Sequence, residues 1–428
     1  MLDRTLPPAY HPVTDFKLLK PLHIPFPNGV QTFVFNAGDQ DLVRIEWIFG
    51  NVFAQEDQSL LNSCASELLL EGTTKYSSKQ IAELVDFHGA FLVPEYGYDQ
   101  SALTLFSLNK HLDQLLPLVK NILTDAIFPE RELATYIRNN KQKLQVSLKK
   151  NSFVARRLFN KTLFGPTRYG YIPDVPDYDR IAREALLALF KQQYTPANCT
   201  LIVSGKVTDG VIDALRQLFG DSWQLADKAI PVDPAPKFAP TEGLLVVDER
   251  KDALQSAIRL GSQSIQRSHP DFPGLQVLNT LLGGYFGSRL MTNIREEKGY
   301  TYSIGSGLAS LRHSAFFTIS SEVGVAVTKA TLAEIEKEIQ RLREEPVEES
   351  ELALVKNYLM GSMLGSLENV FSHADKFKTV YFSGLGLEYY DYYSDTINSI
   401  TAEEIARLAN TYLNYQNMIK VIVGKYES

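Results

Sequence analysis

The sequence predicts an α+β protein of two homologous halves, each a mostly antiparallel sheet packed with helices. Three observations carry this prediction. At 428 residues the chain exceeds what one hydrophobic core holds, so two or more domains are expected. The order of elements repeats: Ile45 matches Ile258, Phe128–Leu148 matches Glu345–Gly365, and Asn198–Gly205 matches Asn417–Gly424. Chance likeness between β-rich stretches would not hold the offset within 213 to 219 residues over such different elements. Between the copies, Ala226–Gly243 carries Pro231, Pro234, Pro236 and Pro240 with little periodicity, which reads as an extended linker. The expected division is 1–225, 226–243 and 244–428, two stacked halves enclosing a cleft.

The elements follow in order. Residues 1–25 are proline-spotted and read as an arm along the body. Asn28-Gly29 signals a hairpin before the β-rich Val30–Phe35, and Leu42–Phe49 reads as the next strand. Ser59–Leu70 is helical and ends at Gly72. Ser77 and Gln80 form a capping box for a helix that runs to His88 and stops at Gly89. Ala102–Leu108 alternates as a strand does. Helices over His111–Asp125, Glu130–Lys149 and Arg183–Gln193 lead to the strand Cys199–Val203.

Composition excludes several classes. A net charge of −7, with no basic block or basic amphipathic helix, argues against nucleic acid or an anionic membrane as partner. Cys64 and Cys199 offer at most one disulfide and no cysteine metal cluster, and buried free thiols are expected. The first residues lack an apolar signal core, and no stretch reaches the ~18 uninterrupted apolar residues of a membrane span. The expected location is the cytoplasm, or the periplasm if a leader precedes this chain.

The informative stretch is Gly283–Gly307. A glycine turn (Gly283, Gly284, Gly287) feeds a helix over Ser288–Lys298 that stops at Gly299, and a β-prone run over Tyr300–Ile304 follows. Arg295 and Tyr302 lie on opposite sides of that stop, so they share one groove only if the chain reverses between them. This order of glycines with Arg295, Glu297, Lys298, Gly299 and Tyr302 resembles the second-half signature of the pitrilysin/insulinase family of zinc peptidases. Coarser resemblance runs from about Phe26 to Gly424. It implies a clam-like pair of halves, with the arginine and tyrosine holding substrate across a chamber from a zinc ion.

The same resemblance exposes a deficit. Active members carry H-x-x-E-H on a helix, where ligands four residues apart share a face and the intervening Glu activates water. With Gly72-Thr73 fixing the register, Ser63 and Glu67 stand where the histidines belong and Ser66 stands where the general base belongs. A serine hydroxyl is a poor zinc ligand, and it cannot take a proton from water as a carboxylate can. The family's third ligand, a Glu on a later helix, falls near Lys143. From Leu133 through Pro173 there is no Asp or Glu at all. The seven histidines are scattered, no two closer than twelve residues, so no helix turn pairs them. Glu67 is expected to remain solvated or to pair with a lysine of the later helix.

Other candidates weigh less. Tyr96, Tyr98 and the cluster Tyr389–Tyr393 line a peptide groove or pack a core, and sequence does not choose between them. Glu296 and Glu297 have no visible partner, and no phosphate loop or Ser–His–Asp arrangement has local support. The expected function is a metal-free subunit of a two-chain metallopeptidase, inactive alone. Zinc would reside in a homologous partner forming a heterodimer, and peptides would be the substrates. The competing readings are a non-enzymatic peptide-binding or assembly protein of the same fold and, ranked last, an autonomous metallopeptidase with unrecognised ligands.

Overall fold

A computed structural model describes residues 16–53, 58–223, 235–239 and 242–426. Most of the expected linker and the first fifteen residues lie outside that set. The first sheet comprises β1 (Leu22–Pro25), β2 (Gln31–Asn36), β3 (Leu42–Gly50), β4 (Phe91–Tyr96), β5 (Gln100–Leu108) and β6 (Cys199–Gly205), in the order β1-β2-β6-β3-β5-β4. The second comprises β7 (Leu245–Glu249), β8 (Gln255–Gln263), β9 (Thr301–Ser310), β10 (Ala315–Gly324) and β11 (Ile419–Gly424), in the order β7-β11-β8-β10-β9. Beyond β1, the two orders are the same pattern. Each contains one parallel pair, β2 with β6 and β7 with β11, and the remaining pairs are antiparallel. The repeat read from Ile45/Ile258 and from the two terminal strands is therefore a repeat of topology.

In the first half the helices are α1 (Gln58–Glu67), α2 (Ser78–Phe87), α3 (Leu112–Asp125), α4 (Glu130–Ser147), α5 (Asn151–Phe164), α6 (Arg183–Gln193) and α7 (Asp209–Leu215). The capping box forms as expected: the Ser77 hydroxyl accepts from the Gln80 N–H, and the Gln80 side chain accepts from the Ser77 N–H at 2.9 Å. One face of the first sheet, with Trp47, Leu103 and Leu201, packs under these helices around Leu116, Phe128 and Leu186. In the second half the helices are α8 (Phe272–Asn279), α9 (Thr328–Glu344), α10 (Glu349–Gly365), α11 (Val370–Tyr381), α12 (Glu388–Ser399) and α13 (Ala402–Tyr412). They cover Ile258, Leu260 and Phe317 on one face of the second sheet.

The other two faces are covered by exchange. Helix α5 packs Val154, Phe159 and Leu163 on Ala257, Ile419 and Val421 of the second sheet. Its counterpart in the repeat, α11, packs Ala374 and Phe377 on Phe33, Phe35, Ile48 and Ile202 of the first. Each half therefore buries an apolar sheet face only by receiving a helix from the other. Both cysteines are buried and free. No helix among the described residues is long and apolar enough to cross a membrane.

Candidate functional site

The glycine turn sets the position of the segment that bears Arg295. Thr280–Gly284 continues α8 as a π-helical turn against β9, and a Cβ on Gly283 would meet the Ser306 nitrogen at 2.6 Å. Only glycine allows that approach. After the turn, Met291–Glu297 is again π-helical, and Ile294 is driven into the core. Asn293 beneath it donates to Glu334 at 2.9 Å and to the buried Glu338 at 2.7 Å, which fixes the segment against α9. The Asn293 amide, with Lys298 and Lys337, holds Glu334 below the usual carboxylate range. Gly299 then takes φ +66°, Tyr300 donates back to the Ile294 carbonyl, and the chain reverses into β9.

That reversal brings Arg295 and Tyr302 together. The guanidinium carbon lies 5.3 Å from the Tyr302 ring centroid and 4.6 Å from that of Phe286. Phe286 belongs to the glycine turn and is 63% exposed, while Tyr302 is 86% exposed. Arg295 is thus clasped between two rings that are themselves open to solvent, leaving its N–H edge available. Phe286 had no signal in the sequence beyond its place between Gly284 and Gly287. A groove of about 410 Å3 opens beside Tyr302, walled by Ser152 of α5 and by Arg259, Ser320 and Glu322 of the sheet.

The motif helix is arranged differently. On α1, Ser63 and Glu67 share a face, with a long 3.4 Å hydrogen bond from the hydroxyl to the carboxylate. Ser66 is buried and donates to the Glu95 carbonyl at 3.0 Å, tying α1 to β4. The position at which the resemblance leads one to expect a catalytic base thus holds a structural hydroxyl. Lys143 on α4 is exposed, and the side chain α4 presents to Ser63 and Cys64 is the buried Tyr136. Burial, with Cys64 and Glu67 nearby, pushes the Tyr136 phenol up; burial and Glu67 push the Cys64 thiol up as well. Among the described residues Glu67 makes no ion pair, so a lysine partner for it is not found. The donor set of serine hydroxyls, one carboxylate and protonated phenol and thiol groups does not fit zinc. No group of three or more His, Cys, Asp or Glu that could hold a metal ion occurs among the described residues.

The tyrosines divide. Tyr96 and Tyr98 line a cleft of about 690 Å3 at the seam of the halves, facing Arg267, Arg312 and Lys378. Tyr389, Tyr390 and Tyr393 are buried in the second core. The seam is bolted at Asp99, which accepts from the Tyr169 hydroxyl at 2.5 Å and from the Arg312 N–H at 3.0 Å, with Arg168 at 3.5 Å. Glu296 and Glu297 are exposed helix-end residues.

Comparison with known proteins agrees with this architecture. The family described as "Peptidase M16 inactive domain" matches residues 180–359. The chain is 26% identical over 354 residues to an "Uncharacterized zinc protease YmxG" of Bacillus subtilis, covering 81% of this chain and 84% of that one. It is 21% identical over 383 residues to a "Non-peptidase homolog YmxG" of Helicobacter pylori, covering 88% and 87%. The crystal structure of a peptidase M16 inactive domain from Pseudomonas fluorescens superposes with a TM-score of 0.85 at 20% identity, over 96% of this chain and 99% of that one. A protease structure from H. pylori gives 0.86 at 17% identity, over 95% and 100%. Sequence and structure together match the M16, or pitrilysin, clan of inverted-zincin peptidases, with its two clam-like sheet–helix lobes.

Proposed function

We propose that this M16-clan homologue, which lacks a metal-binding cluster among its described residues, works as the non-catalytic subunit of a two-chain metallopeptidase. It would give Arg295 and Tyr302 to a chamber shared with a homologous partner that carries the zinc motif. The observation that carries this reading is the clasped Arg295, stacked on Tyr302 with an open hydrogen-bonding edge, in a chain whose motif helix holds Ser63, Ser66 and Glu67.

In this reading Arg295 anchors a substrate carbonyl by charge-assisted hydrogen bonds. The Tyr302 hydroxyl donates to the carbonyl oxygen as it gains negative charge, the stage at which a fixed donor contributes most. The partner's zinc would supply the activated water. Substrate would lie as an added strand along a sheet edge, so that backbone hydrogen bonds give affinity without strict sequence choice. Gly283 acts indirectly, by letting the loop approach β9, and Gly284 and Gly287 by letting the turn close on Asn279 and on the Tyr285 ring.

The test is to mix this chain with a relative carrying H-x-x-E-H and follow cleavage of a peptide. Arg295→Ala or Tyr302→Phe in this chain should lower cleavage by about tenfold or more. Unchanged cleavage defeats the assignment. The name of the H. pylori relative favours a second reading, a peptide-binding or assembly protein with no hydrolysis anywhere in its complex. An adjacent reading frame with an intact zinc motif would favour the first.

A further inference from the structure

We infer that the groove beside Tyr302 receives a carboxylate of the bound peptide, with Arg259 and Arg156 as its cationic end. This rests on the peptide-handling reading above and adds to it a class of substrate. Arg259 projects from the middle of β8 on the face covered by α5, its guanidinium carbon 5.6 Å from the Phe159 ring centroid. Its Nε is buried and makes no hydrogen bond. Among the described residues no carboxylate pairs with it. The charge that acts on it most strongly is Arg156 of α5, another cation, and burial with that neighbour pulls the guanidinium below the usual arginine range.

Two arginines that brace the fold have a carboxylate that Arg259 lacks among the described residues. Arg289 meets Glu351 through two hydrogen bonds of 2.8 Å, and Arg44 meets Asp375 at 2.9 and 3.2 Å. A desolvated cation with a second cation beside it and no counter-charge costs the fold stability, so an anion supplied from outside would be bound there. The groove suits a peptide carboxylate. Its volume of about 410 Å3 admits a side chain or a chain end, and Ser303, Ser320 and Ser321 line it with hydroxyls. Glu322 sits exposed at the rim and makes no ion pair among the described residues. Tyr302 borders the same groove, so a peptide held at Arg295 and Tyr302 would carry an acidic side chain, or its own C-terminal carboxylate, toward Arg259.

Calorimetry on the whole chain with three peptides of one length tests this: end-blocked with a central Glu, end-blocked with Gln, and the Gln peptide with a free C-terminus. One carboxylate-bearing peptide should bind about tenfold more tightly than the blocked Gln peptide, the ratio a charge-assisted pair provides, and which one does so identifies the source. Arg259→Met should erase the ratio. Arg156→Gln should lower it too, and because Arg156 is exposed this variant keeps the test open if the β8 variant misfolds. Tyr302→Phe should weaken all three peptides alike. Equal affinity for the three, absence of binding, or a preference that survives both arginine substitutions overturns the inference. A preference that depends on Arg259, with partnered cleavage unaffected by Arg295→Ala, would keep the groove and remove the peptidase reading.

Discussion

Among the described residues Arg295 is held by rings and not by charges, and that decides how its surroundings respond to substitution. Phe286→Ala removes the nearer ring. A cation–π contact at an exposed site is worth about 0.5–1 kcal/mol, so peptide binding by the chain should weaken roughly two- to fivefold. Phe286→Trp should restore it, and equal binding by wild type and Phe286→Ala would show that Tyr302 alone suffices. Gly283→Ala acts through packing. Its Cβ would press on the Ser306 nitrogen and hydroxyl, a backbone contact that cannot swing aside, at a cost of about 1–3 kcal/mol in urea unfolding. The stop at Gly299 was legible because a glycine stop is local chemistry, whereas the pairing of Arg295 with Tyr302 was expected from the family resemblance. The bond from Ser66 to the Glu95 carbonyl was not, because its partner is 29 residues away on another element. Phe286, an exposed ring in an aperiodic turn, leaves no pattern to read.

At the scale of elements, local signals predicted local structure and said little about partners. The capping box of α2 is an example of the first, since Ser77 and Gln80 satisfy each other's backbone wherever the helix packs. Helix α5 is an example of the second: it had no expected place, and its apolar face seats on a sheet whose strands lie about a hundred residues or more downstream. Helix α3 shows a competition that magnitudes resolve. Lys120 lies 4.9 Å from the Trp223 ring centroid and 5.8 Å from that of Phe219, with its ammonium buried and unbonded. Burial pulls it down to about 8 despite Asp125, so the lost hydration outweighs the attraction of that carboxylate. In the unfolded chain a lysine titrates near ~10.4. Between those values the unfolded state holds more protons, so stability rises with pH through that window. Allowing for partial exposure, the rise from this residue should be about 1–2 kcal/mol. Lys120→Met should therefore be the more stable protein at pH 7, and its advantage should shrink as pH climbs from about 8 toward 10. An advantage constant across that range would mean the ammonium is hydrated in the folded state.

For the whole molecule, the sequence repeat announced two copies of one unit and concealed that neither copy is self-sufficient. The repeat is visible because equivalent strands keep similar composition at a steady offset. The exchange of α5 and α11 is invisible because a helix's apolar stripe does not record which sheet it faces. Yet the exchange governs stability. Without α5, the face bearing Ala257, Ile419, Val421 and Val423 would lie open, and without α11 so would Phe33, Phe35, Ile48 and Ile202. Across the same boundary Lys378 of α11 bonds the buried Glu46 at 2.7 Å, and Arg44, paired with Glu46 at 2.9 Å within β3, bonds Asp375 of α11 at 2.9 Å. Burial draws the Lys378 ammonium down, but Glu46 across the boundary and then Asp375 on its own helix outweigh it and leave it raised. The halves should therefore unfold together. Trp47 and Trp223 both lie in the first half, so their fluorescence reports that half while circular dichroism reports both. Coincident urea transitions are expected from the two probes. Glu46→Ala leaves Arg44 and Lys378 sharing Asp375 as their one carboxylate among the described residues and should lower stability by about 2 kcal/mol without separating the transitions. If the dichroism of the wild type instead shows a second step after the tryptophan signal is complete, the second half stands without its borrowed helix, and the exchange is a seam rather than a shared core.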